Sequence, residues 1–124
     1  MILVDTSIWI DHFRGELQGL VDILDHGDVV IHPFVIGELA CGSLSNREET
    51  LALLQQLRSI TVAEHDEAMS FIVRRRLYGR GIGYVDVHLL ASVAIDGARL
   101  WTKDRRLREL TGSLGLATAH NRTR

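Results

Sequence analysis

The sequence predicts an α/β domain built on a parallel β-sheet, and three observations lead there. The opening run Met1-Ile2-Leu3-Val4 is continuously apolar and stops at Asp5, the pattern of a strand buried on both faces. Short apolar or β-branched runs recur at Val29-Val30-Ile31, Ile60-Thr61-Val62, Arg99-Leu100-Trp101-Thr102 and Gly115-Leu116-Ala117-Thr118. Stretches with helical apolar spacing lie between them. Strands alternating with helices are what crossover connections in a parallel sheet produce.

The elements follow in order. Thr6 or Ser7 opens a helix carrying Ile8, Trp9 and Phe13 to about Arg14, where Gly15 stops it. Leu17, Leu20, Val21 and Leu24 mark a second helix, ending at His26-Gly27. Pro33 suits the first position of the third, which runs to about Gly42, because its missing N–H costs nothing there. Ser45 or Asn46 caps a fourth, Arg47 to Arg58, with Leu51, Leu53, Leu54 and Leu57 on its apolar side. Glu64 to Tyr78 is the fifth, with Ala68, Met69, Ile72, Val73 and Leu77 facing inward. Gly79-Arg80-Gly81-Ile82-Gly83 is a turn; it follows a helix and not a strand, so it lacks the context of a nucleotide-binding loop. Asp86 to Asp96 is the sixth helix, ended by Gly97, and a short basic helix runs from after Asp104 to Leu110. The polar tail, Ala119 to Arg124, reads as loose.

Length and composition bound the function. The 124 residues fit one domain, 1–124. A composition of 46% hydrophobic and 24% charged residues argues against disorder. A net charge of −2 excludes a global basic field for nucleic acid. The single cysteine, Cys41, leaves no internal disulfide and fits a reducing compartment. No basic segment precedes the apolar start, and no run reaches the ~18 apolar residues of a membrane helix. The expected location is the cytoplasm.

Four acids stand out. Asp5 ends the first strand, and in open parallel sheets ligands bind beyond the carboxyl ends of strands. Asp104 follows the fourth strand by two residues. Asp86 begins its helix on the stripe continued by Leu89, Leu90 and Val93, while His88, Ser92 and Asp96 form the polar side, so Asp86 points toward the sheet. Glu38 lies in a helix apolar around almost its whole circumference, beside Phe34 and Cys41, where an ionised carboxylate needs a partner, a proton or a metal. Asp5, Asp86 and Asp104 also fit N-cap positions; Glu38 does not. Clustered carboxylates repel one another and are stabilised by a cation. Oxygen ligands select Mg²⁺ or Mn²⁺, and the absence of paired His or Cys argues against zinc.

Taken together, Asp5-Thr6-Ser7, Pro33…Glu38-Leu39, Asp86-x-x-Leu89-x-Ala91 and Thr102-x-Asp104 resemble, in order and over the whole chain, the four signature segments of PIN domains. The short single-domain length is similar to that of VapC-type toxins of toxin–antitoxin pairs. The resemblance implies a PIN-like α/β/α sandwich with strand order 3-2-1-4-5 and helices on both faces. It implies a metal-dependent endoribonuclease that uses Mg²⁺ or Mn²⁺. It assigns Asp5, Glu38, Asp86 and Asp104 as catalytic and metal-binding acids, with Thr6, Ser7 and Thr102 as supporting hydroxyls. It further implies a cognate small antitoxin protein and a homodimer, for which the apolar helices from Pro33 to Leu57 offer contact surfaces. Two departures bear on substrate preference: His32 stands where a small hydroxyl residue is commoner, and Arg105-Arg106-Leu107 where many members have an acidic or aromatic residue.

An acidic pocket attracts RNA only if cations flank it. Lys103, Arg105, Arg106 and Arg108 surround Asp104, and Arg74, Arg75, Arg76 and Arg80 flank the glycine turn. The first group, above all Lys103, Arg105 and Arg106, is the expected RNA-binding set. Cys41 reads as core, and Trp9 and Trp101 as core or subunit-contact aromatics. His12, His26, His32, His65, His88 and His120 are scattered and read as non-ligands. A receiver-type phosphoacceptor domain needs an adjacent acidic pair after strand one and an aspartate after strand three. Here Asp5 stands alone, and no aspartate occurs between Asp28 and Asp66. A PIN-fold module that binds RNA or protein without cutting is the other alternative.

Overall fold

In the computed structural model, which describes residues 1–15, 17 and 19–120, four parallel strands form one sheet in the order β3-β2-β1-β4. They are β1 (Ile2–Val4), β2 (Val29–Ile31), β3 (Arg58–Ser59) and β4 (Arg99–Trp101). Leu3 sits opposite Val30 on one side and Leu100 on the other. Leu3, Val4 and Leu100 are fully buried, and Val29, Val30, Ile31 and Trp101 nearly so. A strand with both faces covered has no room for a polar alternation, which is why these segments read as unbroken apolar runs.

The helices are α1 (Thr6–Phe13), α2 (Leu20–Asp25), α3 (Pro33–Ala40), α4 (Arg47–Gln55), α5 (His65–Arg75), α6 (Tyr84–Asp96) and α7 (Arg105–Ser113). Pro33 occupies the first turn of α3 as expected, and the preceding His32 caps it: its Nδ1 accepts the Phe34 N–H at 3.0 Å. Helix α5 starts with Glu67 reaching back to the Glu64 N–H at 2.9 Å. Gly97 ends α6 at φ +64°, a left-handed conformation that favours glycine.

Two strand expectations are corrected. The third strand is Arg58–Ser59 and not Ile60-Thr61-Val62. Pairing is complete once Ile60 donates its N–H to the Ile31 carbonyl at 3.0 Å. The chain then turns to α6, where the Thr61 and Ala63 N–H groups donate to Asp96 and Ser92 side chains at 2.8 and 3.0 Å. The expected fifth strand is a single parallel bridge, Leu100 to Ala117. It lies beside β4, as the order 3-2-1-4-5 requires, but is too short to count as a strand.

Side-chain directions also differ. Helix α6 is buried continuously over residues 87–93, so His88 and Ser92 are interior groups and not a polar face. In α5 the inward aromatic is Phe71, while Met69 and Val73 are 45% and 69% exposed. In α4 Leu54 is buried and Leu53 faces out. Asn46 precedes α4 without a side-chain cap bond, because at φ +50° its own backbone is left-handed. Cys41 is exposed, contrary to the core reading. Trp9 and Trp101 are core, as expected. The expectation of a loose tail lies, for residues 121–124, outside the described residues. Among the described residues no helix is long and apolar enough to cross a membrane.

Candidate functional site

The site is assembled at the carboxyl ends of β1 and β4. Val4 is the last residue of β1, so the next residue, Asp5, emerges at the sheet edge while its N–H still bonds the Trp101 carbonyl at 2.9 Å. Asp5 is 7% exposed. Three donors hold its carboxylate: the Thr6 N–H on Oδ1 at 2.7 Å, and the hydroxyls of Ser7 (3.0 Å) and Thr102 (2.5 Å) on Oδ2. Thr6 and Ser7 stand at the start of α1, and Thr102 leaves β4. One carboxylate therefore ties together segments about a hundred residues apart in sequence.

Asp104 follows on the same exit from β4. Its N–H donates to Thr102 Oγ1 at 3.1 Å, and its Oδ1 accepts the Leu107 N–H at 3.0 Å, so Asp104 caps α7. The N-cap reading is thus also correct for Asp5 and Asp104, and it does not compete with a site role: a capped carboxylate oxygen fixes where the other oxygen points. Asp86 is the exception. Helix α6 begins at Tyr84 behind Gly83, which places Asp86 inside the first turn and not at the cap.

Glu38 corrects another expectation. Pro33, Phe34, Gly37 and Glu38 form an exposed side of α3, and Glu38 is on that side rather than enclosed. It faces α1, where Thr6 Oγ1 donates to its Oε1 at 2.7 Å. The apolar composition of α3 misled here, because its exposed positions are filled partly by Phe34 and Gly37.

Electrostatics relate the four acids. Burial pushes the Asp86 carboxyl up to about 6, and the charges of Asp5, Asp104 and Glu38 push the same way, against a backbone hydrogen bond at Gly83. Asp5 is likewise raised, chiefly by burial and further by Glu38, although its three donors pull it down. So Asp5, Glu38, Asp86 and Asp104, from four separate segments, share one electrostatic neighbourhood. They do not close into a preformed cage: among the described residues no three ligand-type side chains converge as a metal set. Any cation there would complete its shell with water or substrate oxygens.

Beside the acids lies a wall of rings. His88 packs against Phe34 and Tyr84 with centroids 4.9 and 4.6 Å apart, and His32 lies 6.5 Å away. Burial lowers the His32 imidazole to about 4, helped by His88, so His32 is neutral at pH 7. Its Nδ1 accepts a hydrogen bond, which places its proton on Nε2. None of the six histidines joins the acids as part of a ligand set.

The basic residues divide. Arg105 is exposed, with a 3.5 Å contact to Glu109. The Arg106 side chain lies across Gly81, where a Cβ would meet its guanidinium nitrogen at 2.6 Å. That contact joins the glycine turn to the start of α7 and makes the glycine at position 81, also at φ +80°, specific to the arrangement. Lys103 is committed elsewhere: its ammonium holds both oxygens of Asp11 at 2.7 and 2.8 Å. Asp11 carries only a weak mark in the sequence. Its signal was the four-residue spacing from Ser7, which puts both on one face of α1.

Comparison with known proteins adds the following. Residues 2–112 match the PIN domain family. Over 120 residues, 96% of this chain and 97% of the relative, the sequence is 49% identical to Ribonuclease VapC32 of Mycobacterium tuberculosis strain CDC 1551 / Oshkosh. The same identity and coverage hold for Ribonuclease VapC32 of strain ATCC 25618 / H37Rv.

Proposed function

This chain belongs to the PIN domain family, and from that premise we propose that it is the toxin of a toxin–antitoxin pair, a divalent-cation-dependent endoribonuclease that cuts RNA and thereby blocks translation. The observation that carries the reading is the gathering of Asp5, Glu38 and Asp104 on the hydroxyls of Thr6, Ser7 and Thr102 at the carboxyl ends of β1 and β4, with Asp86 in the same field of charge. Such a group is costly unless a cation offsets it.

The donor set fits a hard divalent cation, Mg²⁺ or Mn²⁺, because it is made only of carboxylate oxygens. Asp5, Asp86 and Asp104 would hold the ion directly or through water, and Glu38 would hold a bound water or take its proton. The cation, when bound, lowers the pKa of a water and relieves charge on phosphate oxygens. The chain's own part is placement. Thr6, Ser7 and Thr102 orient Asp5, and Thr6 also orients Glu38. Arg105 and Arg106 bind the RNA backbone at the rim. Replacing both by glutamate lowers RNA affinity and reduces the slope of log affinity against log salt by about 2, one for each lost cation. An unchanged slope in filter-binding assays counts against the rim.

The antitoxin is proposed to dock in the groove of about 440 Å³ beside Glu38, between Ile10 and Phe13 of α1 and Leu39 and Leu44 of the α3 side. Homodimer formation is supported by the exposed apolar side chains Met69, Val73 and Ile95 on α5 and α6. The deciding experiment is cleavage of total RNA by the purified chain with Mn²⁺ and with chelator. Cleavage that requires the ion supports the proposal. A folded protein that binds RNA but never cuts it, with either Mg²⁺ or Mn²⁺, points to a binding module instead.

A further inference from the structure

Lys103 stands between Thr102 and Asp104, yet its side chain turns away from both, toward α1. There the ammonium donates to both oxygens of Asp11, at 2.7 and 2.8 Å. Asp11 is 7% exposed, and its carboxylate is therefore largely out of water. An ion pair at an open surface contributes little. One with a buried member differs, because removing either partner strands the other charge. The same residue makes a second link: the Lys103 N–H donates to Ser7 Oγ at 3.3 Å, and Ser7 in turn donates to Asp5. A third comes from Thr102, whose hydroxyl bonds Asp5 and accepts the Asp104 N–H.

The loop 102–104 is thus fastened to α1 through Asp11 and Ser7 and to its N-cap residue, Asp5. Two of these fastenings use Asp5 or its hydroxyl partner Ser7, groups that must answer to whatever occupies the site. The Asp11–Lys103 pair is the fastening that uses neither the four acids nor their hydroxyl partners. We propose that this ion pair is a positioning element: it fixes the 102–104 loop against α1, sets Asp104 relative to Asp5, and so governs affinity for the divalent cation. The inference rests on the metal-dependent reading above. It also removes Lys103 from the RNA-binding set, since its ammonium is engaged.

The test is calorimetric titration of the full chain with Mn²⁺ alone, with thermal midpoints measured in parallel. Wild type, Asp11→Asn, Lys103→Met, the double variant and Leu54→Ala are compared. The Mn²⁺ Kd rises about tenfold in Lys103→Met, in the range for groups that orient metal ligands. It rises at least about threefold in Asp11→Asn, which keeps the volume and an acceptor but loses the charge. The double variant is no weaker than Lys103→Met, because both changes break one link. Leu54→Ala opens a cavity in α4, which supplies none of the acids, and leaves the Kd within about twofold despite a lower midpoint. Asp11→Asn decides the matter alone if Lys103→Met does not fold. Wild-type affinity in the folded variants overturns the role of the pair and leaves the nuclease reading standing. An equal loss in Leu54→Ala also overturns it, as a general effect of instability. A wild-type chain that binds no Mn²⁺ overturns both.

Discussion

Asp5→Asn loses RNA cleavage by about a thousandfold while keeping its fold. The substitution preserves shape, and the amide oxygen still accepts from the Thr6 N–H or from Ser7 and Thr102. What goes is the charge. Cation catalysis of phosphoryl chemistry is worth several kcal/mol, and each ~1.4 kcal/mol is tenfold in rate, which gives the thousandfold figure. The fold has a reason to survive, or even to gain. Asp5 is a buried carboxylate whose pKa is raised, so its ionised form is a burden in the metal-free protein. The check is a pair of measurements on one preparation: single-turnover cleavage with Mn²⁺, and thermal unfolding without it. Cleavage at the wild-type rate removes Asp5 from the chemistry.

The second large effect is on pH. The Asp86 carboxyl titrates near 6 in the folded chain, against 3.8 ordinarily, because of burial first and then the neighbouring charges of Asp5, Asp104 and Glu38. Between those two values Asp86 is more protonated in the folded state than in the unfolded one. The Asp86 contribution to stability therefore falls as pH rises through that window, the reverse of the usual carboxylate behaviour. A bound cation requires the ionised form, so proton and cation compete. Apparent Mn²⁺ affinity consequently drops by roughly tenfold per pH unit below about 6, and binding expels about one proton at pH 5 and almost none at pH 7.5. Titrations in buffers of different ionisation enthalpy count those protons. In metal-free unfolding Asp86 supports the midpoint more at pH 5 than at pH 7, and comparison with Asp86→Asn isolates that share, because the lowered His32 imidazole shifts the whole chain the other way. Affinity that stays level from pH 4.5 to 7.5 would be incompatible with this account.

Much of this arrangement could be read before the coordinates. The strands β1, β2 and β4 are legible as apolar runs because burial on both faces leaves little room for other residues. The placement of Asp5 and Asp104 came from the rule that a sheet's chemistry gathers where its strands end. Other features were not legible, for identifiable reasons. The third strand slid by two residues because register with Val30 and Ile31 fixed it, and Arg58 and Ser59 have no strand-like composition. The exposure of Glu38 is hidden because periodicity counts apolar residues without knowing which of them meet solvent; Phe34 is 37% exposed. The spacing of polar residues in α6 suggests an outer face. Instead Ser92 and Asp96 accept backbone N–H groups from the segment after β3, a contact between residues about thirty positions apart. Lys103 was grouped with its basic neighbours by sequence, whereas only the fold reveals that it has a buried partner in Asp11.

The brevity of β3 bears on how other chains can attach. A sheet recruits a foreign strand through a long row of unpaired backbone groups along its outermost member. Here one border is the two-residue β3, with Arg58 and Ser59 turned to water, and the other is shielded by the Ala117 bridge beside β4. Neither border offers enough ladder for β-augmentation, which also lowers the risk of edge-to-edge aggregation. Anything that captures this protein must therefore grip its helices and the clefts between them.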